Sequence, residues 1–356
     1  MHTMHQRAQL HGVNSPTGVL IVNLGTPDAP YYFPVARYLT QFLLDPRVID
    51  VNPVLRNILV RGIIAPFRSA KSAKAYREVW TENGSPLKYY GERLVSMLPA
   101  LLGDDFRVEL AMRYQKPSIE SAIDKLMAQK VGKIIVFPLF PQYASATTGS
   151  VHEEVMRVLS RRQNIPGVEM INSYCTHPPM VRLFAQNAQA FDLDHYDHIL
   201  FSFHGLPQRQ LRKADDFNHC LKAADCCQTL TDKNQFCYSA QCHATAKAIA
   251  KELGLRPEQY TLSFQSRLGT DPWTQPYTIK EIEKLAKAGA KRLLVFCPAF
   301  TSDCLETTVE IGMEYNEEFE KWGGEHIDLV PSLNDNPEWA AVVADLVRIH
   351  VPVISE

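Results

Sequence analysis

The feature that most constrains this chain is the pair of series in which short apolar runs alternate with helical patterns. Gly18 to Asn23 (GVLIVN) opens the first series and closes on the turn Gly25-Thr26-Pro27. Arg107–Met112, Lys133–Phe137 and Val168–Asn172 follow, separated by segments of helical periodicity. His198–Phe203 (HILFSF) opens the second, which continues through Tyr260–Phe264 and Arg292–Phe296, with helical patterns at Ala244–Leu253 and Ile279–Ala288. β-Rich runs without polar alternation read as strands buried on both faces, and their alternation with helices calls for parallel sheets. The expectation is an α/β chain of doubly wound type, with ligands beyond the carboxyl ends of the strands.

The length, 356 residues, is enough for two compact domains. The boundary is expected near residue 190. A polar tail, 1–17, precedes a first domain over 18–190, completed by 336–356. There Trp339, Val342, Val343 and Leu346 recur at helical spacing and pack back. The second domain covers 191–335. With 46% apolar and 21% charged residues the chain is not disordered. A formal charge of −2 provides no electrostatic footprint for nucleic acid. Mean hydropathy is −0.18 and no apolar run approaches ~18 residues, so no membrane span is expected. Met1 to Thr17 lacks the apolar core of a signal peptide, which points to the cytoplasm. No GxGxxG or Walker A loop supports nucleotide binding.

Tyr38–Leu44 and Leu55–Phe67 are apolar and interleaved with Arg47, Arg56, Arg61 and Arg68. They read either as amphipathic core helices or as an apolar lip, around 38–68, facing a greasy ligand or a membrane with arginines on its polar side. His204, in SFHGLP, sits where glycine and proline end an apolar run. An imidazole there can take up a proton or bind a metal at neutral pH. After the run at Arg292–Phe296, Asp303, Glu306, Glu310, Glu314 and Glu317 fall on one stripe of an α-helix. The plain reading is a solvated face; the functional one is an acid row that handles a divalent cation or protons. PQYASATTGS (141–150) and QSRLGTDPW (265–273) add hydroxyls, a cation and an indole at strand ends.

Five of the eight cysteines fall between Cys220 and Cys242: Cys220, Cys226, Cys227, Cys237 and Cys242. In a reducing compartment such clustering argues for a metal or cluster over disulfides. By spacing alone a [2Fe–2S] cluster, Zn²⁺ and plain thiols stand level, and the absence of a CxxC pair counts against zinc. Cys175 and Cys297 read as core residues.

Together VNLGTP, GSPL, AMRY, PQYASATTGS, SFHGLP, QSRLGTDPW and FTSDCLETTVE, in this order, resemble ferrochelatase, the enzyme that inserts ferrous iron into a porphyrin. The resemblance implies two similar Rossmann-like halves with the porphyrin in a cleft between them, and it makes the apolar segment the lip of that cleft. It implies that His204, Glu306, Glu310 and Asp303 are catalytic, with His204 and Glu306 meeting the substrate Fe²⁺. It also places Leu24, Arg113, Tyr114, Tyr143, Ser145 and Trp273 around the macrocycle. Cys304 stands where some relatives carry histidine, and reads as a small buried thiol. The animal-type cluster cannot form as such: Ser145 takes its loop position and no cysteine follows Cys304. Instead the insertion 214–242 resembles the cysteine-rich segment that holds a [2Fe–2S] cluster in some bacterial relatives. Cys220, Cys227, Cys237 and Cys242 are expected as ligands, with Cys226 as substitute. The implied function is Fe²⁺ insertion into protoporphyrin IX, the last step of haem synthesis. Coproporphyrin III as substrate, or a non-catalytic haem- or porphyrin-binding redox sensor, stand as alternatives. Peripheral membrane contact through the lip, and a monomer or weak homodimer, complete the expectation.

Overall fold

A computed structural model describes residues 15–267 and 269–351. Positions 1–14 of the polar tail, Leu268 of QSRLGTDPW and 352–356 of the last segment lie outside the described residues.

Among the described residues eight strands form two four-stranded sheets. β1 (Thr17–Gly25), β2 (Phe106–Tyr114), β3 (Lys133–Pro138) and β4 (Gly167–Met170) make the first, in the order β2-β1-β3-β4. β5 (His198–His204), β6 (Tyr260–Gln265), β7 (Arg292–Phe296) and β8 (His326–Leu329) make the second, in the order β6-β5-β7-β8. Every pairing is parallel. The two sheets share one strand order, a structural repeat that the sequence does not display. β8 was also absent from the sequence reading. Its residues, His-Ile-Asp-Leu, alternate polar and apolar and form no apolar run.

Strand periodicity sorts the apolar residues between two faces. Val19 and Ile21 enter a core shared by both halves, together with Phe137, Phe201, Phe203 and Phe296. Leu20 and Val22 face a second core under the helices Ile119–Ala128 and Ser150–Leu159. Leu200, Leu293 and Val295 face a third, against the helix Thr278–Lys287. Each full burial is worth roughly 1.5–3 kcal/mol, so the central strands, with Val19 to Val22 all at 0% exposure, anchor the fold. The last helix, Pro337–Ile349, sends Trp339, Val343 and Val347 into the shared core beside Leu94 and Leu98 of the helix Pro86–Leu102.

The apolar segment divides. Tyr38 is buried on the helix Tyr32–Leu43. The stretch from Pro53 runs through a short helix, a π-helical turn over Ile58–Ile64 and the helix Ala65–Val79. It turns Val60 inward but leaves Val54, Leu55, Ile58, Ile63 and Phe67 exposed. The expected arrangement of arginines on a polar side fails at Arg56. Its side chain is buried and its Nη1 donates to the carbonyls of Ile49 and Val51, at 3.2 and 3.4 Å.

The expected α-helical acid stripe is corrected as well. Leu305–Tyr315 is a π-helix followed by a short α-helix, Asn316–Lys321. Hydrogen bonds that span five residues instead of four change the angular step, and a stripe computed at 3.6 residues per turn breaks up. Asp303 precedes the helix, Glu306 and Glu310 are half-buried, and Glu314 and Glu317 are exposed.

Candidate active site

His204 is the last residue of β5 and pairs in register with Gln265 at the end of β6. The backbone N–H of Gly205 donates to the Gln265 carbonyl at 2.8 Å. Any Cβ on Gly205 would meet that oxygen at 2.8 Å and the Trp273 ring at 3.1 Å, so glycine is what lets the chain turn against the indole. The His204 and Trp273 rings lie 6.5 Å apart, centroid to centroid. Nδ1 of His204 sits 2.7 Å from the Gly205 carbonyl, which can only accept. Nδ1 therefore carries the proton in the neutral ring, and Nε2 keeps its lone pair. The Tyr238 hydroxyl donates to the His204 carbonyl at 2.9 Å and fixes the end of the strand. Trp273 is buried, and its Nε1 has no hydrogen-bond partner among the described residues.

Gln265 links His204 to the acid row. Its Nε2 donates to the Glu306 carbonyl at 2.7 Å and to Glu310 Oε2 at 3.2 Å. Glu310 also accepts the Ser266 N–H at 3.0 Å, the Ser266 hydroxyl, and the Tyr315 hydroxyl at 2.8 Å. Ser266 reaches it from a left-handed backbone, φ 66°. The Glu306 charge acts on two phenols, the buried Tyr38 and the half-buried Tyr76. Burial raises both hydroxyls first; Glu306 then raises Tyr38 while the Tyr76 hydroxyl lowers it, and Tyr76 is raised next by Tyr38 and then by Glu306. Burial and the Glu306 charge likewise push the Cys304 thiol up, so the expected small buried cysteine is found, 6% exposed and protonated. Asp303 is otherwise engaged. It accepts from the Thr307 hydroxyl and the Ser332 N–H on one oxygen and from Asn334 Nδ2, at 2.7 Å, on the other.

Arg113 and Tyr114 end β2, with Leu24 at the end of the adjacent strand β1. Gly25, φ 117°, lies against the Tyr114 backbone; a Cβ there would sit 2.0 Å from the Tyr114 carbonyl oxygen. Both polar side chains converge on Asp45, which sequence reasoning missed. Its Oδ2 accepts from Arg113 Nη2 at 2.7 Å, the Tyr114 hydroxyl at 2.9 Å and the Ser150 hydroxyl at 2.6 Å. Its Oδ1 accepts the Arg47 N–H at 2.7 Å. No spacing rule connects an aspartate at 45 with residues at 113 and 150; only the fold does.

Tyr143 and Ser145 adjoin this group, since Arg47 Nη1 donates to the Ser145 hydroxyl at 2.8 Å. They line a pocket of about 530 Å³ with Arg47, Asp50, Asn172, Gln210 and Lys213, and none of His204, Glu306, Glu310 or Trp273 lines it. The Tyr143 N–H donates to Gln241 Oε1, and Gln142 Nε2 to the Thr245 hydroxyl and the Pro298 carbonyl, so this loop is pinned to the second half.

Cys220, Cys226, Cys227 and Cys237 line one small pocket, with Asp215, His219 and Phe236. Sγ of Cys226 and Sγ of Cys227 are 3.5 Å apart. The Cys237 thiol is lowered by the Cys227 thiol, against the effect of burial. Cys242, expected as a ligand, does not line this pocket: it lies in the shared core at 0% exposure, its thiol raised by burial. Among the described residues no three His, Cys, Asp or Glu side chains are drawn together to hold one metal ion. Cys175 and Cys297 are buried, as expected.

The ferrochelatase family profile matches residues 16–351. The chain belongs to the ferrochelatase family. It is 43% identical to the ferrochelatase of Legionella pneumophila (strain Corby) over 334 residues, 94% of this chain and 99% of that protein. It is also 43% identical to the ferrochelatase of Coxiella burnetii (strain Dugway 5J108-111) over 349 residues, 96% and 97% of the two chains. Among solved structures, the sirohydrochlorin chelatase SirB of Bacillus subtilis subspecies spizizenii in complex with cobalt superposes with a TM-score of 0.52 at 10% identity, covering 94% of each chain, a likeness of fold. This ferrochelatase is thus a metal chelatase of the lyase class. It inserts iron into a porphyrin in haem biosynthesis, on two similar Rossmann-like halves.

Proposed function

We propose that the chain inserts Fe²⁺ into protoporphyrin IX, releasing two protons and forming haem b. The observation that carries the mechanism is His204 at the carboxyl end of β5, its Nδ1 committed to the Gly205 carbonyl and Nε2 left with a lone pair. Metal cannot enter until both pyrrole N–H protons leave, so a base must stand at the ring centre. Nε2 of a neutral imidazole is that base, a role worth roughly 10²–10⁴-fold in rate. Glu306 and Glu310 then conduct the released protons, or the incoming hydrated iron, along the π-helix. Gln265, bonded to the Glu306 backbone carbonyl and to the Glu310 carboxylate, ties the two turns together. Asp303, which accepts from Thr307, Ser332 and Asn334, anchors that helix to the 332–334 loop at the head of the acid row. Arg113 and Tyr114 meet the macrocycle from the first half. Leu24 and Trp273 supply apolar contact, and Tyr143 and Ser145 form the rim.

Protoporphyrin carries vinyl groups where coproporphyrin has two further carboxylates, and the exposed Val54, Leu55, Ile58, Ile63 and Phe67 of the lip favour the more apolar ring. The same residues support peripheral contact with a membrane by a cytoplasmic protein. Among the described residues no helix is long and apolar enough to cross a membrane.

The cysteine pocket is proposed to hold a [2Fe–2S] cluster. Four thiols that line one pocket supply the all-sulfur donor type it requires, and they would have to draw closer together to hold it. Cys220, Cys226, Cys227 and Cys237 would hold it, Cys226 taking the place expected for Cys242. Such a cluster would supply a one-electron redox centre, and Cys237 directly precedes Tyr238, whose hydroxyl holds the His204 carbonyl.

Anaerobic incubation with Fe²⁺ and either protoporphyrin IX or coproporphyrin III, for the wild type and His204→Ala, tests the reading. Rapid metallation of protoporphyrin by the wild type, lost in the variant, is expected. Preferential turnover of coproporphyrin III would overturn the substrate, and full activity of His204→Ala the mechanism.

A further inference from the structure

The six residues Asp45 to Asp50 are tied to every part of the site they pass. Asp45 holds Arg113, Tyr114 and Ser150. Arg56, on the lip, reaches back to the Ile49 and Val51 carbonyls, and the Asn52 side chain accepts the Val54 N–H to start the lip helix. From the other half comes the short helix Gln208–Lys213, which begins four residues after His204. Gln210 Nε2 donates to the Arg47 and Val48 carbonyls at 3.3 and 3.1 Å. Arg209 approaches Asp50 Oδ1 through Nε at 2.8 Å and Nη2 at 2.7 Å, and Lys213 Nζ lies 2.6 Å from Oδ2. Nη1 of Arg209 pairs with Asp271, two residues before Trp273.

Asp50 is the half-hidden centre of this arrangement, with its side chain 11% exposed. Burial opposes its charge, and the hydrogen bonds from Arg209 and Lys213 outweigh that and hold its carboxyl below the usual carboxylate range. Many ion pairs among the described residues are local in sequence and largely solvent-facing, such as Lys280–Glu283, and contribute little. The Asp50 cluster is different: it spans 159 residues and joins the His204 half to the root of the lip.

We propose that Asp50 and Arg209 form a latch across the cleft that keeps the lip closed over the porphyrin and sets its rate of release. Both are positioning residues and touch neither ring nor metal. The lip cannot swing on its root without parting Asp50 from Arg209 and Lys213. The proposal rests on the porphyrin lying beneath the lip between the two halves.

The test is the dissociation rate of protoporphyrin IX from the full-length protein, followed by its fluorescence, beside kcat and KM for iron insertion. Asp50→Asn and Arg209→Gln should each speed release roughly five-fold and raise KM with kcat kept or increased. The double variant should release no faster than the quicker single, since one interaction is being removed twice, and Asp50→Glu should restore wild-type release. Should Asp50→Asn fail to fold, Arg209→Gln and Lys213→Met carry the same expectation. Unchanged release in the folded variants, or single effects that add in the double, would overturn the latch while leaving the chelatase reading standing. A wild type that binds no protoporphyrin would overturn both.

Discussion

Asp45 offers the sharpest quantitative test of how the site is held. Its carboxylate is 3% exposed and serves Arg113, itself 15% exposed, along with Tyr114 and Ser150. Asp45→Asn removes the charge and puts an amide donor where one acceptor oxygen stood. Breaking one side of a buried ion pair costs about 3–5 kcal/mol, because the remaining charge stays desolvated. Asparagine keeps one oxygen, so the lower end, about 3 kcal/mol, is expected. With a urea dependence of about 3 kcal/mol/M, the unfolding midpoint should fall by about 1 M at unchanged slope. Tyr114→Phe loses one hydrogen bond to a charged group, about 1.5 kcal/mol. The double variant should cost little more than Asp45→Asn alone, because the Tyr114 hydroxyl has already lost its charged acceptor. Urea titrations followed by tryptophan fluorescence read all three. A shift under about 0.5 kcal/mol for Asp45→Asn, or full additivity with Tyr114→Phe, would refute the assignment of Asp45 as the common acceptor.

Other outcomes follow from the same geometry. As isolated, the protein should be reddish-brown with iron and acid-labile sulfide; Cys226→Ser should lose both and Cys242→Ser keep them, whereas stoichiometric zinc would refute the cluster. Replacing Leu55 and Phe67 together by glutamate should abolish sedimentation with phospholipid vesicles while leaving iron insertion into detergent-dispersed porphyrin intact. His243 is held near pKa 4 by burial and then by Lys247, below the ordinary histidine value. The unfolded chain therefore binds the proton more readily, so stability should be full above about pH 6.5 and decline as pH falls from there toward 4. His243→Gln should flatten that part of the pH–stability curve, and an unchanged curve would remove His243 as its source.

Much of the fold was legible because it depends on local pattern. Runs such as GVLIVN can be buried on both faces only in a parallel sheet, and seven of the eight strands showed in that way. His204 was legible for the same reason, since glycine and proline mark the strand end that exposes it. The acid row was legible as composition but not as geometry. An α-helical step was the natural assumption at Leu305–Tyr315, and the π-helix there belongs to the packing around it.

What the sequence determined by itself was the class of fold, the strand ends and the chemical groups placed at them, all properties of residues near one another in the chain. Tertiary structure alone decided which groups meet. Asp45 with Arg113, Asp50 with Arg209, and Cys226 rather than Cys242 beside Cys220 and Cys237 are contacts made by the winding of two sheets and the docking of their loops. Such pairings leave no periodicity behind, because the partners are set by where strands end in space and not by how far apart they lie in sequence.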